Sequence, residues 1–168
     1  MTIGKSGDGA TSPSPGIHSY AKGTVVPLSA TPASGYRFDG WEGEDAASIV
    51  DSRIVVDSDK ALRARFTELT PTLTLIVDKA TGSAPLQVNF TAQLTNFSGT
   101  VLYYEFHIED GPNGETSQTI RTDQTQVSHV YNDPGTYYAD VIMYGQLPDG
   151  FSYQLEDVLY ITVTSPTP

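Results

Sequence analysis

The sequence predicts an all-β protein in two consecutive domains, and three observations carry that expectation. Short runs rich in Val, Ile, Thr, Tyr and Phe recur along the whole chain, residue types that suit a pleated, half-buried surface. Turns such as TGSAP, EDGPNGE, YNDPGT and LPDG separate them, each with the Gly, Pro, Asn or Asp that a tight turn needs. No segment of useful length repeats its apolar residues at the helical period.

Each run can be taken in order. TVVPLSATP (24–32) is a β-branched run closed by proline, and Pro27 inside it implies an edge strand or a bulge, because proline has no N–H to give a neighbour. YRFDGW (36–41) alternates, with Tyr36, Phe38 and Gly40 expected on one face and Arg37, Asp39 and Trp41 on the other. SRIVVDSD (52–59) and ALRARFTE (61–68) are joined by a polar turn at Asp57 to Lys60. Further along, TLTLIVD (72–78), LQVNFTAQL (86–94), TVLYYEFHI (100–108), QVSHVY (126–131), TYYADVIMYG (136–145) and LEDVLYITVT (155–164) all read as strands. Their regular spacing predicts a sandwich.

The boundary is expected near residue 69, giving domains 1–69 and 70–168, with TSPTP as a linker-like end. Seven of the nine basic residues precede it, whereas eleven carboxylates lie from Asp78 to Asp157. The first domain is thus near neutral and the second strongly acidic. Pro71 between two threonines marks a short, stiff connector, with limited hinge freedom expected.

Composition narrows the function. A net charge of −11 with no basic stripe argues against nucleic acid and against an anionic membrane surface. No apolar run reaches membrane-spanning length, so no membrane insertion is expected. With no cysteine, disulfide and thiolate chemistry are excluded. MTIGKSGDGATSPSPG (1–16) lacks the apolar core of a signal peptide, which reads either as a piece of a longer secreted protein or as a chain made in the cytoplasm.

The most conspicuous candidate site is GYRFDGWEGE (35–44), with three carboxylates beside the only tryptophan. Paired carboxylates can cleave a glycoside. Asp39-Gly40 is equally a turn or bulge dipeptide, and the stretch is expected to be a core strand ending in a turn, with an exposed Trp41 as a stacking contact. His18, His107 and His129 form no H-x-H or H-x-x-x-H pair and are read as strand and loop residues; no G-x-S-x-G elbow occurs. Glu109, Asp110, Asn113 and Glu115, joined by Asp133, are the candidate ligands of a structural calcium ion, a hard cation that takes several oxygens. Asp110-Gly111 and Asn113-Gly114 are also ordinary hairpin formers. Asn89-Phe90-Thr91 and Asn96-Phe97-Ser98 have the glycosylation pattern, Asn89 being expected to face solvent. In the pairs Tyr103/Tyr104 and Tyr137/Tyr138, one ring of each pair should enter the core and one face out. Tyr104 and Tyr138 are taken as the surface contacts. No cofactor other than that calcium ion is expected, and no catalysis.

Two resemblances add to this reading. In residues 1 to about 68, G-x-x-x-P-x-P-G is followed by Tyr20, then KGT, L-x-A-x-P, GYRFDGW, a V-D-S-D-K turn and A-x-F. This order resembles the divergent InlB B-repeat family of surface proteins. Residues 72 to 164, with TGSAPLQVNFTA, YYEFHIEDG, HVYNDPGTYYADVIMY and LYITVT, resemble a PKD domain, an Ig-like β-sandwich. There the family's Trp-Asp-Phe-Gly-Asp-Gly run is replaced by Tyr104 to Gly111, without the tryptophan. Both resemblances imply noncatalytic, extracellular or cell-surface modules that act as structural spacers and adhesive pieces, with other surface proteins or glycans as partners. Self-assembly into a filament, surface layer or virion, and service as accessory domains of a secreted hydrolase, are the alternatives.

Overall fold

The computed structural model describes residues 1–111, 114 and 116–166. The chain divides into two compact units, Met1–Thr70 and Pro71–Pro168. Apart from one turn of 3-10 helix at Ala46–Ser48, the regular elements of the described residues are strands.

The first unit contains β1 (Thr2–Ser6), β2 (Gly9–Ser12), β3 (Gly16–Ile17), β4 (Thr24–Pro27), β5 (Ser29–Pro32), β6 (Tyr36–Glu42), β7 (Arg53–Val56) and β8 (Ala61–Glu68). Four of them form a sheet in the order β3-β1-β8-β6. Its central pair is parallel, Thr2 to Ser6 running beside Ala61 to Arg65, so the first and last strands of the unit are neighbours. β4 pairs only with β7, and β2 only with β5. The single run expected over 24–32 is therefore two strands in two ribbons. It breaks at Leu28, whose N–H donates to the Ser52 carbonyl at 2.8 Å. Pro27 stands on a two-stranded ribbon, where a missing N–H costs nothing to a further neighbour. Ile3 and Leu62 from the sheet meet Val26, Ile54 and Val56 from the ribbon, all nearly sealed from solvent.

β6 departs from simple alternation. Phe38 lies opposite Phe66 of β8, but Gly40 lies opposite Arg65, leaving Asp39 as an extra residue. Gly40 has φ of +136°, a backbone state that a residue with a Cβ rarely adopts. This bulge reverses the phase of the strand. Trp41 therefore lies opposite buried Ala64, on the Phe38 side and not on the side of Arg37 and Asp39.

The second unit contains β9 (Thr72–Val77), β10 (Thr81–Ser83), β11 (Leu86–Thr95), β12 (Thr100–Glu109), β13 (Ser117–Thr122), β14 (Gln126–Tyr131), β15 (Gly135–Gln146) and β16 (Ser152–Thr164). A three-stranded sheet, β14-β11-β9, faces a five-stranded one, β10-β16-β15-β12-β13. This is the expected all-β sandwich. Leu75, Val88 and Phe90 from the small sheet pack against Phe106, Ile108, Val141, Met143 and Ile161 from the large one. Residues of full burial alternate with exposed ones along β11, as a sheet with one dry face requires.

Two local bonds fix the frame of the sandwich. Tyr137, fully buried, donates its hydroxyl to the Asp133 carbonyl at 2.6 Å across the turn into β15, the tyrosine corner of Ig-like sandwiches. Asp157 of β16 reaches the small sheet and accepts the Leu75 N–H at 2.7 Å.

A second bulge governs β12. Val101 lies opposite Gly145, and Tyr103 opposite Tyr144, so Leu102 is the extra residue. Alternation counted from half-buried Val101 would turn Tyr103 inward and Tyr104 outward. The bulge reverses this: Tyr104 is 4% exposed and belongs to the core. The surface role expected for Tyr104 is therefore corrected, and Tyr103 takes the outward position.

Candidate functional site

The bulge in β12 builds a continuous aromatic and polar surface on the outer face of the five-stranded sheet. Cross-strand neighbours share a face, so the rows can be read from the register. Tyr103 faces Tyr144, and their rings stack at 4.6 Å. The Arg121 guanidinium of β13 sits 3.5 Å from the Tyr103 ring centre, a cation–π contact. Tyr138 and Tyr160 form a second pair, edge to face at 5.7 Å, with Tyr160 63% exposed.

Between the two tyrosine pairs lies His107 opposite Asp140. The His107 Nδ1–H donates to Asp140 Oδ2 at 2.8 Å, and Asp140 is nearly sealed at 5% exposure. Loss of hydration, then the charges of Asp140 and Glu156, push the Tyr138 hydroxyl above its usual value. Loss of hydration and the neighbouring Glu105 do the same for Tyr144. Both phenols stay neutral donors at physiological pH. The face thus presents neutral hydroxyls and aromatic edges over a fixed, hydrogen-bonded base.

A His–Asp pair also invites comparison with a hydrolase triad. Among the described residues, no hydroxyl is hydrogen-bonded to the second ring nitrogen of His107. The pair stands on the outer sheet face, across from Thr119 of β13. It acts as a cross-strand tie.

The other sequence candidates lie apart. Trp41 is half-buried, packs on the core of the first unit and meets Phe38 edge to face at 6.0 Å. On the opposite side of β6, Asp39 pairs with Arg37 at 2.9 Å and Arg65 at 3.5 Å, and it accepts a hydrogen bond from Thr67. These exposed pairs contribute little to stability, and Arg65 also reaches Glu42 at 3.8 Å, so Asp39 and Glu42 share one cation. A groove of about 460 Å³ opens in the same unit by Ile17, Tyr20 and the Asp57–Asp59 turn. Beside it Lys60 is gripped by Asp57 at 2.8 Å and Asp45 at 3.3 Å. The hydrogen bond that Lys60 donates to Asp57 raises the Lys60 pKa, and the same bond lowers that of Asp57. A nucleophilic lysine needs the opposite shift.

The residues expected to bind calcium have other partners. Glu109 Oε2 accepts the Tyr138 N–H at 2.7 Å. Asp110 Oδ1 lies 3.0 Å from His129 Nε2, although the ring nitrogen is not aligned for a hydrogen bond. Asp133 serves the fold through its carbonyl. Asn113 and Glu115 lie outside the described residues. Among the described residues, no three His, Asp or Glu side chains gather as a metal centre would need. Of the two sequons, Asn89 donates its amide to Asp78 Oδ2 at 2.8 Å within the sheet, while Asn96 stands exposed in the β11–β12 turn with φ of +58°.

Comparison with known proteins agrees with this geometry. Residues 1–70 match the family model of the divergent InlB B-repeat domain, and residues 72–147 match that of the PKD domain. The chain carries a divergent InlB B-repeat domain followed by a PKD domain. The PKD match ends at residue 147, so it stops before β16, the strand that completes the large sheet. Among solved structures the chain is similar to Clostridium thermocellum CbhA fibronectin(III)-like modules, at 15% identity and a TM-score of 0.39, over 98% of this chain and 90% of that chain. No curated protein matches it. PKD domains are typical extracellular structural or binding modules and generally noncatalytic, and B-repeat domains are typical of extracellular proteins. Among the described residues, no helix is long and apolar enough to cross a membrane.

Proposed function

We propose that this chain is a noncatalytic extracellular module that spaces its neighbours and offers the outer face of the PKD sheet as an adhesive surface for glycans or other surface proteins. The observation that carries this reading is the clustering of Tyr103, Tyr144, Tyr138 and Tyr160 around Arg121 and the His107–Asp140 pair. Aromatic rings on strands supply large contact area at low entropic cost. Here the rings are already held by stacking and by their strands, so little ordering remains to oppose binding. Tyr160 is the most open of them and the natural first contact.

The test is a screen of the whole chain against immobilised glycans and surface-protein extracts, repeated with Tyr160→Ala. Binding that falls at least tenfold in the variant supports the reading. Binding that is unchanged in Tyr160→Ala, or absent from the native chain, removes the tyrosine face from consideration. A second reading, assembly through sheet edges, is favoured by one specific feature, the open edge of β13.

A further inference from the structure

We propose that the open edge of β13 pairs with the same edge of a second copy of this chain, joining two five-stranded sheets into one. The inference deepens the assembly reading and does not depend on what the tyrosine face binds. It begins with which backbone groups point outward. The Asp110 N–H donates to the Thr116 carbonyl at 2.9 Å at the base of the β12–β13 hairpin. Antiparallel partners that exchange both bonds alternate with partners that exchange none. Gln118, Ile120 and Thr122 therefore turn their N–H and C=O groups to Ile108, Phe106 and Tyr104 of β12. Ser117, Thr119 and Arg121 turn theirs away from the sheet.

Natural edges are usually blunted by proline, lysine, a bulge, short length or a covering group. Three other edge strands do this, whereas β14 of the small sheet, like β13, is six residues long and paired without a register shift. β6 is bulged at Asp39 and ringed by charges, β10 is only three residues long, and Leu75 on β9 is capped by Asp157. β13 has no proline, lysine or bulge, and Arg121 is its one charge. It is six residues long, SQTIRT, and pairs with β12 without a register shift.

The edge is also self-complementary. A two-fold axis through Ile120 sets Ile120 against Ile120 as a pair without hydrogen bonds, the position where cross-strand side chains come closest. Thr119 then exchanges backbone bonds with Arg121 of the second copy, and Ser117 faces Asp123. No two like charges stand opposite each other. The chain has a net charge of −11, yet β13 contains no carboxylate, so two copies can meet here without opposing acidic groups. Ile120 is only half-buried in the single chain, and pairing covers it. The same patch serves both partners, as a two-fold interface requires.

Sedimentation of the whole chain over a wide concentration range tests the proposal, with a monomer–dimer equilibrium as the expected result. Thr119→Pro removes an outward N–H and leaves the β12 ladder intact, so the dimer is lost while the thermal midpoint at concentrations where the native chain is monomeric stays unchanged. Thr119→Asp sets a carboxylate opposite Arg121 of the second copy twice over and tightens the dimer about fivefold, while Thr119→Lys weakens it about as much. A chain that is monomeric at every concentration overturns the proposal. So does a dimer indifferent to Thr119→Pro, or Asp and Lys variants that shift it in the reverse sense.

Discussion

Phe38 and Trp41 meet edge to face at 6.0 Å although they are three residues apart on one strand. In regular pleating an odd separation sends side chains to opposite faces. The extra residue at Asp39 is what lets both rings cover the same core.

This relationship predicts two different effects. Trp41→Ala removes a half-buried ring and should cost about 2 kcal/mol, below the value for a fully buried aromatic. Deletion of Asp39 keeps every aromatic residue but restores simple alternation, sending Trp41 to the charged face. It should destabilise the first unit more than Trp41→Ala does. Because Trp41 is the only tryptophan, its fluorescence during urea unfolding reports on that unit alone.

Gly9 lies against the Phe66 ring, and a Cβ there would approach ring carbons to 2.6 Å. Phe66 is itself 4% exposed and in contact with Phe38, so it has little room to yield. Gly9→Ala should destabilise the first unit by about 1–3 kcal/mol, read as a lower urea midpoint for the tryptophan signal. An unchanged midpoint would show that the ring shifts freely.

In the second unit, Tyr137→Phe deletes the hydroxyl that bonds the Asp133 carbonyl and keeps the ring. The expected loss is about 1 kcal/mol, seen in calorimetry as a lower transition for the sandwich. Tyr160→Ala, on the exposed outer face, should leave that transition within about 0.5 kcal/mol. The pair separates the tyrosine that holds the fold from the tyrosine offered for binding.

Alkaline stability follows from the tyrosines. Loss of hydration is the main cause that raises the hydroxyl pKa of Tyr104, Tyr131, Tyr137, Tyr138 and Tyr144. An unfolded tyrosine titrates at about 10, so the folded chain holds these protons more tightly. Their contribution is fully present below about pH 10 and is lost as pH rises through the folded values. The urea midpoint of the sandwich should therefore hold up to about pH 10 and fall as pH rises above it. A midpoint that holds steady well above pH 10 would contradict the loss of hydration at these hydroxyls.

Much of the second unit was legible because its strands carry their own signal. Val88 and Phe90 alternate with Gln87 and Asn89, and turn residues mark the ends. β13 gave no such signal, since SQTIRT offers a single apolar residue and an edge strand has little dry surface to announce. The N-terminal strand β1 was hidden likewise, because TIGKS acquires its place only from parallel pairing with β8, some sixty positions away. The aromatic face is half legible: alternation fits Tyr137 inward and Tyr138 outward, while the bulge at Leu102 sends Tyr104 inward and Tyr103 outward.

The sequence by itself determined that the chain is all-β, that it falls into a near-neutral part and an acidic part, and that aromatic residues would line strands. These properties are local, set by residue type, turn chemistry and periodicity. Only the tertiary structure decided which way Trp41, Tyr103 and Tyr104 point and which edge of the large sheet stays open. A bulge is one residue counted against a partner strand, and an edge is the absence of a partner. Both are relations between distant segments, so no local pattern encodes them.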